Sequence, residues 1–156
     1  MDFEKVLAVL QALYDNGVDY VLVGALGLTV HGIVRATQDV DLFVRPEPEN
    51  VARLRTALRV VFPDDPAIEE ISARDLAGEY PAVRYHSADG SLIIDLMTRL
   101  GDAFFYEDLQ FEERAFEGVP VRVATPGTLY KMKKDTLRLQ DRADAEALKR
   151  GFAIEE

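Results

Sequence analysis

The sequence predicts an α+β fold, a mixed and largely antiparallel sheet flanked by helices, and three observations carry that prediction. Segments with apolar residues at helical spacing are interleaved with short β-branched runs. Two pairs of such runs are joined by turn-rich connections, Ser87 to Gly90 and Glu117-Gly118, the mark of antiparallel hairpins. An apolar run ending at Gly24 leads directly into a helical stripe, giving a strand, a glycine turn and a helix in succession. With 156 residues, 48% hydrophobic and 29% charged, the chain fits one globular domain spanning 1–156, with a core over about 1–125 and C-terminal helices over about 127–152.

Taken in order, Phe3, Val6, Leu10, Leu13 and Tyr14 define a helix over roughly 3–15, capped by Asp2 and stopped by Asn16-Gly17. Val18 to Val23 reads as a buried strand. Gly24 and Gly27 flank Ala25-Leu26, and Leu26, Val30 and Ile33 form one stripe of the short helix that follows. The run Asp39 to Val44 is the next strand, ended by Pro46-Glu47-Pro48. Val51, Leu54, Leu58 and Val61 mark a helix over about 48–61, with Arg53, Arg55 and Arg59 mostly solvated. Residues 62–81 carry a loop, FPDDP, and a capping box at Ser72 to Asp75 for one helical turn. A hairpin of 82–86 and 91–98 follows, then a short helix over 101–109, then a hairpin of 111–116 and 119–123. Thr125-Pro126 opens a helix with Leu129, Met132, Thr136 and Leu139 inward, and Asp141 caps a last helix that buries Ala145, Leu148 and Phe152.

Composition excludes several chemistries. Without cysteine there is no disulfide, thiolate metal site or cysteine nucleophile, and His31 and His86 alone do not suit a histidine-rich zinc site. No apolar run approaches the roughly 18 residues of a membrane span, and no secretory leader is evident, so a cytoplasmic location is expected and a membrane partner is not. A formal charge of −10 disfavours general binding to nucleic acid. The basic residues are uneven, however: Lys131, Lys133, Lys134, Arg138, Arg142, Lys149 and Arg150 all fall in the last quarter of the chain, where they suit an anionic substrate held locally.

The chemistry concentrates in Gly24 to Val44. Asp39 and Asp41 lie two apart on a strand and therefore share a face. Two desolvated like charges at that spacing call for compensation, and a divalent cation supplies it, whereas a solvated edge strand would not need one. The glycine turn before them frees backbone N–H groups for an anion such as phosphate, although such glycines also serve tight strand-to-helix packing. Asp95 is a lone carboxylate within the apolar strand SLIIDLMT; it either bonds to nearby backbone or Arg99, or faces the same cation as Asp39 and Asp41. Lys133 sits about 75° from the centre of its helix's apolar stripe, so it either snorkels to water or reaches into a cleft.

Together these residues resemble the nucleotidyltransferase superfamily related to DNA polymerase beta: a glycine-turn pair, Gly24-Ala25; a D-x-D strand, Asp39-Val40-Asp41; and a third carboxylate on a later strand, Asp95. With the C-terminal segment LYKMKKDTLRLQDRADAEAL, the pattern looks like the minimal bacterial branch near the AbiEii-type toxins, and it covers nearly the whole chain. The resemblance implies a nucleotidyltransferase-like core and transfer of a nucleoside monophosphate from an NTP to a hydroxyl, with two Mg2+ ions as cofactor. The acceptor would be an RNA end such as tRNA, a protein or a small molecule, and the protein could belong to a toxin–antitoxin system. It further implies Asp39, Asp41 and Asp95 as metal ligands, with Asp95 also activating the acceptor. Gly24, Ala25, Arg35, Thr37, Lys133 and Asp141 would bind nucleotide, with Asp141 or Asp144 the companion of Lys133. Ala25 departs from the pattern, which commonly has Gly or Ser there, and implies weaker or altered nucleotide binding. It also leaves open a silent member that acts as a binding or antitoxin partner.

Overall fold

A computed structural model describes residues 1–78, 82–100, 104–134 and 139–154. Its main sheet has six strands in the order β3-β4-β2-β1-β8-β7: β1 Tyr20–Val23, β2 Asp39–Val44, β3 Ala82–His86, β4 Ile93–Met97, β7 Phe111–Phe116 and β8 Val119–Ala124. Three pairings are antiparallel, β1 with β2, β3 with β4 and β7 with β8, while β4 runs parallel to β2 and β8 parallel to β1. The expected mixed, largely antiparallel sheet flanked by helices is therefore present. Helices α1 Phe3–Asp15 and α3 Pro48–Val61 cover one face, with Val6, Leu10, Leu13, Val51, Leu54 and Leu58 packed on Leu22, Val40, Leu42, Ile94 and Leu96. On the other face Val21, Val23 and Phe43 pack with residues of α2 Gly24–Val30, α5 Pro126–Lys133 and α6 Leu139–Phe152, among them Leu28, Leu129 and Leu148. Among the described residues no helix is long and apolar enough to cross a membrane.

Local chemistry explains most boundaries. Asp2 accepts from Lys5 N to start α1, Ser72 accepts from Asp75 N to start the short α4 Ala73–Leu76, and Thr125 accepts from Thr128 N to start α5. The β7–β8 hairpin turns through Glu117 and Gly118, both at positive φ, as a two-residue loop requires. Asn50 is 1% exposed and joins three elements: it accepts from Asp19 N at 2.7 Å and donates to Asp19 O and Arg45 O at 3.0 and 2.9 Å. It thereby ties the first turn of α3 to the open ends of β1 and β2, whose register sets the candidate site. Asn50→Ala should cost about 2–3 kcal/mol in urea unfolding, because it strands partly buried backbone groups.

Several sequence expectations are corrected. The stripe Leu26, Val30, Ile33 is cut short, since α2 ends at Val30 and its buried residues are Leu26, Gly27 and Leu28. Phe3 and Tyr14 lie at the margin of α1, exposed, while Val9 and Ala12 are buried. The helix expected over 101–109 is replaced: β5 Arg99–Leu100 pairs with β6 Phe104–Phe105, and Tyr106–Asp108 forms a 3-10 turn closed by Asp108 accepting from Phe105 N. Residues 101–103 of that segment lie outside the described residues. Arg55 is not simply solvated, for it donates to Ile71 O at 2.7 Å. In the C-terminal part, Leu139 belongs to α6 and is exposed, Thr136 and Arg138 lie outside the described residues, and Asp141 sits inside the first turn of α6 rather than at its cap. Phe152 is 37% exposed at the rim, its ring edge-on to His31.

Candidate functional site

The topology brings together carboxylates more than fifty residues apart. In the parallel β2–β4 pair Asp41 stands opposite Asp95, and in the antiparallel β3–β4 pair Asp95 stands opposite Arg84. Val23, the residue before Gly24, stands opposite Asp41 across β1–β2. A single row thus crosses four strands: Val23, Asp41, Asp95, Arg84. Asp39, two residues before Asp41, shares its face. Alternate residues on the opposite face, Val40, Leu42, Ile94 and Leu96, are buried under α1 and α3, which places the carboxylates on the face that carries α2, α5 and α6.

Gly24 shapes one wall. Its φ is +68°, and a Cβ added there would lie 2.8 Å from Asp41 Cγ and closer still to Oδ2. Only glycine permits this approach of the turn to the carboxylate. The next helix starts without a side-chain cap, since Val23 supplies none. Burial, then the charges of Asp95 and Asp39, push the Asp41 carboxyl up to about 7, with Lys133 acting in the opposite sense. Arg84 answers the remaining charge: Nε and Nη2 donate to both oxygens of Asp95 at 2.8 and 3.1 Å, and Nη2 donates to Asp39 Oδ2 at 3.2 Å.

A second cluster adjoins the row. Lys133 Nζ donates to Asp144 Oδ2 at 2.9 Å and to Asp141 Oδ1 at 3.2 Å, Arg35 pairs with the other oxygen of Asp144, and Gln140 also donates to it. Burial alone would raise the Asp144 carboxyl, but the hydrogen bonds from Arg35 and Lys133 outweigh it and hold the group below the usual range. Asp144 is therefore the anchor that holds both cations. Thr37 has a local part, its Oγ1 donating to Asp39 O and accepting from Asp39 N at the entrance to β2. Of the residues the sequence singles out, Asp39, Asp41, Asp95 and Gly24 meet at one place, with Ala25 next in the chain. Lys133, Arg35 and Asp141 form the adjoining cluster, and Lys133 carries its charge to Asp41.

Arg84 and the anchoring role of Asp144 are not marked by residue spacing. The hairpin pairing of 82–86 with 93–97 is the signal that places Arg84, because it sets Arg84 opposite Asp95. Arg99, offered by proximity in sequence as a partner for Asp95, is replaced in that role by Arg84.

Among the described residues no set of three side chains is pre-assembled around one ion position. The donor chemistry nevertheless fits Mg2+, a hard cation that takes one or two carboxylates and completes its shell with water and substrate phosphates. A hollow of about 230 Å³ lined by Phe62, Asp64, Asp65 and Asp89 is not this site: Asp65 accepts there from Tyr85 OH, Ala88 N and Ala67 N, which accounts for it structurally.

No protein-family model and no curated protein matches the chain. Among solved structures it is similar to ANT(2")-Ia in complex with adenylyl-2"-tobramycin, at 12% identity and TM-score 0.56, covering 96% of this chain and 89% of that one. It is also similar to an antigenic nucleotidyltransferase-like protein from Paracoccidioides brasiliensis, at 16% identity and TM-score 0.54, covering 94% and 75% of the two chains. The chain has the fold of these nucleotidyltransferase structures.

Proposed function

We propose that the protein is a nucleotidyltransferase that moves a nucleoside monophosphate from an NTP to a hydroxyl acceptor, with release of pyrophosphate. The observation that carries this reading is the row of Asp41 and Asp95 on adjacent parallel strands, with Asp39 on the same face and Gly24 against Asp41. Mg2+ held by Asp39, Asp41 and Asp95 would neutralise phosphate charge and stabilise the attacking and leaving oxygens. Asp95, the carboxylate farther from the glycine turn, accepts a hydrogen bond from the acceptor hydroxyl and orients it. The backbone of Gly24-Ala25 approaches the donor phosphates, and Lys133, with Arg35 beside it, offsets their charge. Asp141 and Asp144 keep the ammonium group aimed. Thr37 holds the start of β2, so its contribution to nucleotide binding runs through Asp39.

The acceptor is an RNA end such as tRNA, a protein hydroxyl or a small molecule; the adenylyl-2"-tobramycin in complex with ANT(2")-Ia is an instance of the last class. A toxin–antitoxin role of the AbiEii type belongs to the same proposal. Incubation with each α-labelled NTP, Mg2+ and total cellular RNA or protein should give label transfer well above an Asp41→Ala control. Absence of any transfer above that control sinks the reading. A second reading, a catalytically silent partner protein, is favoured by Ala25, which offers no hydroxyl to a phosphate. It predicts a stable complex with a partner and no NTP-dependent thermal shift in Mg2+.

A further inference from the structure

Asp39 and Asp95 are already engaged by a cation. Arg84 lies on β3, the outermost strand of its sheet edge, and its guanidinium spans both carboxylates through three hydrogen bonds of 2.8 to 3.2 Å. Both Asp95 oxygens and Oδ2 of Asp39 accept from it. A divalent ion ligated by those oxygens competes with the guanidinium for their lone pairs and is repelled by its charge, so each cation weakens the hold of the other. The Arg84 side chain is 54% exposed, against 14% for Lys133 and 23% for Arg35. Releasing it therefore returns a guanidinium to water with its stem on an open edge, and no buried charge is left unpaired on the arginine side. By contrast, Lys133 and Arg35 are bound to the 3% exposed side chain of Asp144, where release would strand a buried carboxylate.

We propose that Arg84 is a resident counter-cation of the carboxylate site: it holds Asp39 and Asp95 in place without metal and yields to a divalent cation that competes for the same carboxylates. This inference rests on the metal-binding reading of the site. Its consequence is a raised threshold for free metal. The ion alone has to displace Arg84 unaided, whereas a metal–NTP complex brings phosphate contacts that offset the displacement, so the site fills with metal and nucleotide together.

The test is a Mn2+ titration of the full chain at pH 8 without nucleotide, with free Mn2+ followed by electron paramagnetic resonance. Native protein, Arg84→Gln, Arg84→Lys and the doubly substituted Asp39→Asn, Asp41→Asn protein are compared, each shown folded by thermal unfolding. Arg84→Gln should bind Mn2+ about fivefold tighter than native, the scale of one half-exposed ion pair. Arg84→Lys, which keeps a charge on that strand, should stay closer to native. Equal or weaker binding by Arg84→Gln, with native binding clearly above the double variant, overturns the proposal and leaves the metal site standing. Failure of every protein to bind Mn2+ above the double variant, with or without NTP, overturns the metal-site reading and this inference together.

Discussion

Asp41→Asn should abolish nucleotide transfer, by at least about a thousandfold, while making the metal-free protein more stable at pH 8. Both effects come from one placement. Asp41 is the central carboxylate of the row, opposite Asp95 and two residues from Asp39, and it is held against the glycine turn. The Asp41 carboxyl is pushed from 3.8 up to about 7 by burial and by the neighbouring Asp95 and Asp39. Between about pH 4 and 7 the folded protein then holds a proton there that the unfolded chain has lost. Stability accordingly falls as pH rises through that window, and the full penalty, on the order of 4 kcal/mol, is present above it. Asparagine removes the charge and keeps the shape. In EDTA, the melting temperature of Asp41→Asn should exceed that of native protein at pH 8 and the difference should shrink toward pH 4. A difference that is constant with pH would show that the Asp41 charge is not under strain.

Gly24→Ala should be the most damaging substitution outside the carboxylates. It places a Cβ on a backbone at φ +68° and presses it into Asp41, 2.8 Å from Cγ. The left-handed conformation alone costs about 1 kcal/mol for a residue with a side chain, and relieving the contact means moving either the turn or the carboxylate. A total loss of about 2–4 kcal/mol in stability is expected. Transfer should fall about a hundredfold or more, since a displacement of one ångström at a reacting centre is worth that much. Gly27→Ala provides the comparison. That position is within α2 and has ordinary helical φ, and its added Cβ would meet Leu22 O at 3.4 Å, so it should change stability by less than about 1 kcal/mol. If the two variants behave alike, Gly24 serves general packing and not the shape of the site.

The part of this arrangement written in local pattern is readable from sequence. Glycine turn, D-x-D strand and the carboxylate in SLIIDLMT each declare themselves through residue types that are costly elsewhere, and both hairpins follow from their turns. The insertion of β4 beside β2, parallel to it and at the register Asp41 to Asp95, has no such signal. It depends on how the two faces of the sheet bury Val40, Leu42, Ile94 and Leu96 on one side. Arg84 is hidden for the same reason, since an exposed arginine on a strand is unremarkable until its neighbours across the sheet are known. Lys133 could be placed at the edge of an apolar stripe by helical spacing, but its capture by Asp144 and the sharing of that carboxylate with Arg35 join segments about a hundred residues apart. The segment after Arg99 reads as helix from sequence because its aromatic run, Phe104 to Tyr106, is compatible with either period, and pairing of Phe104 and Phe105 with Leu100 and Arg99 decides for strand.

The central claim is that Asp39, Asp41 and Asp95 form a divalent-cation and nucleotide site. Isothermal calorimetry of each NTP with Mg2+ tests it without knowledge of the acceptor. At least one NTP should bind with a dissociation constant between about 1 µM and 1 mM, and the heat should vanish with EDTA and in the Asp39→Asn, Asp41→Asn protein. No binding of any NTP, or binding that survives both EDTA and the double substitution, would contradict it.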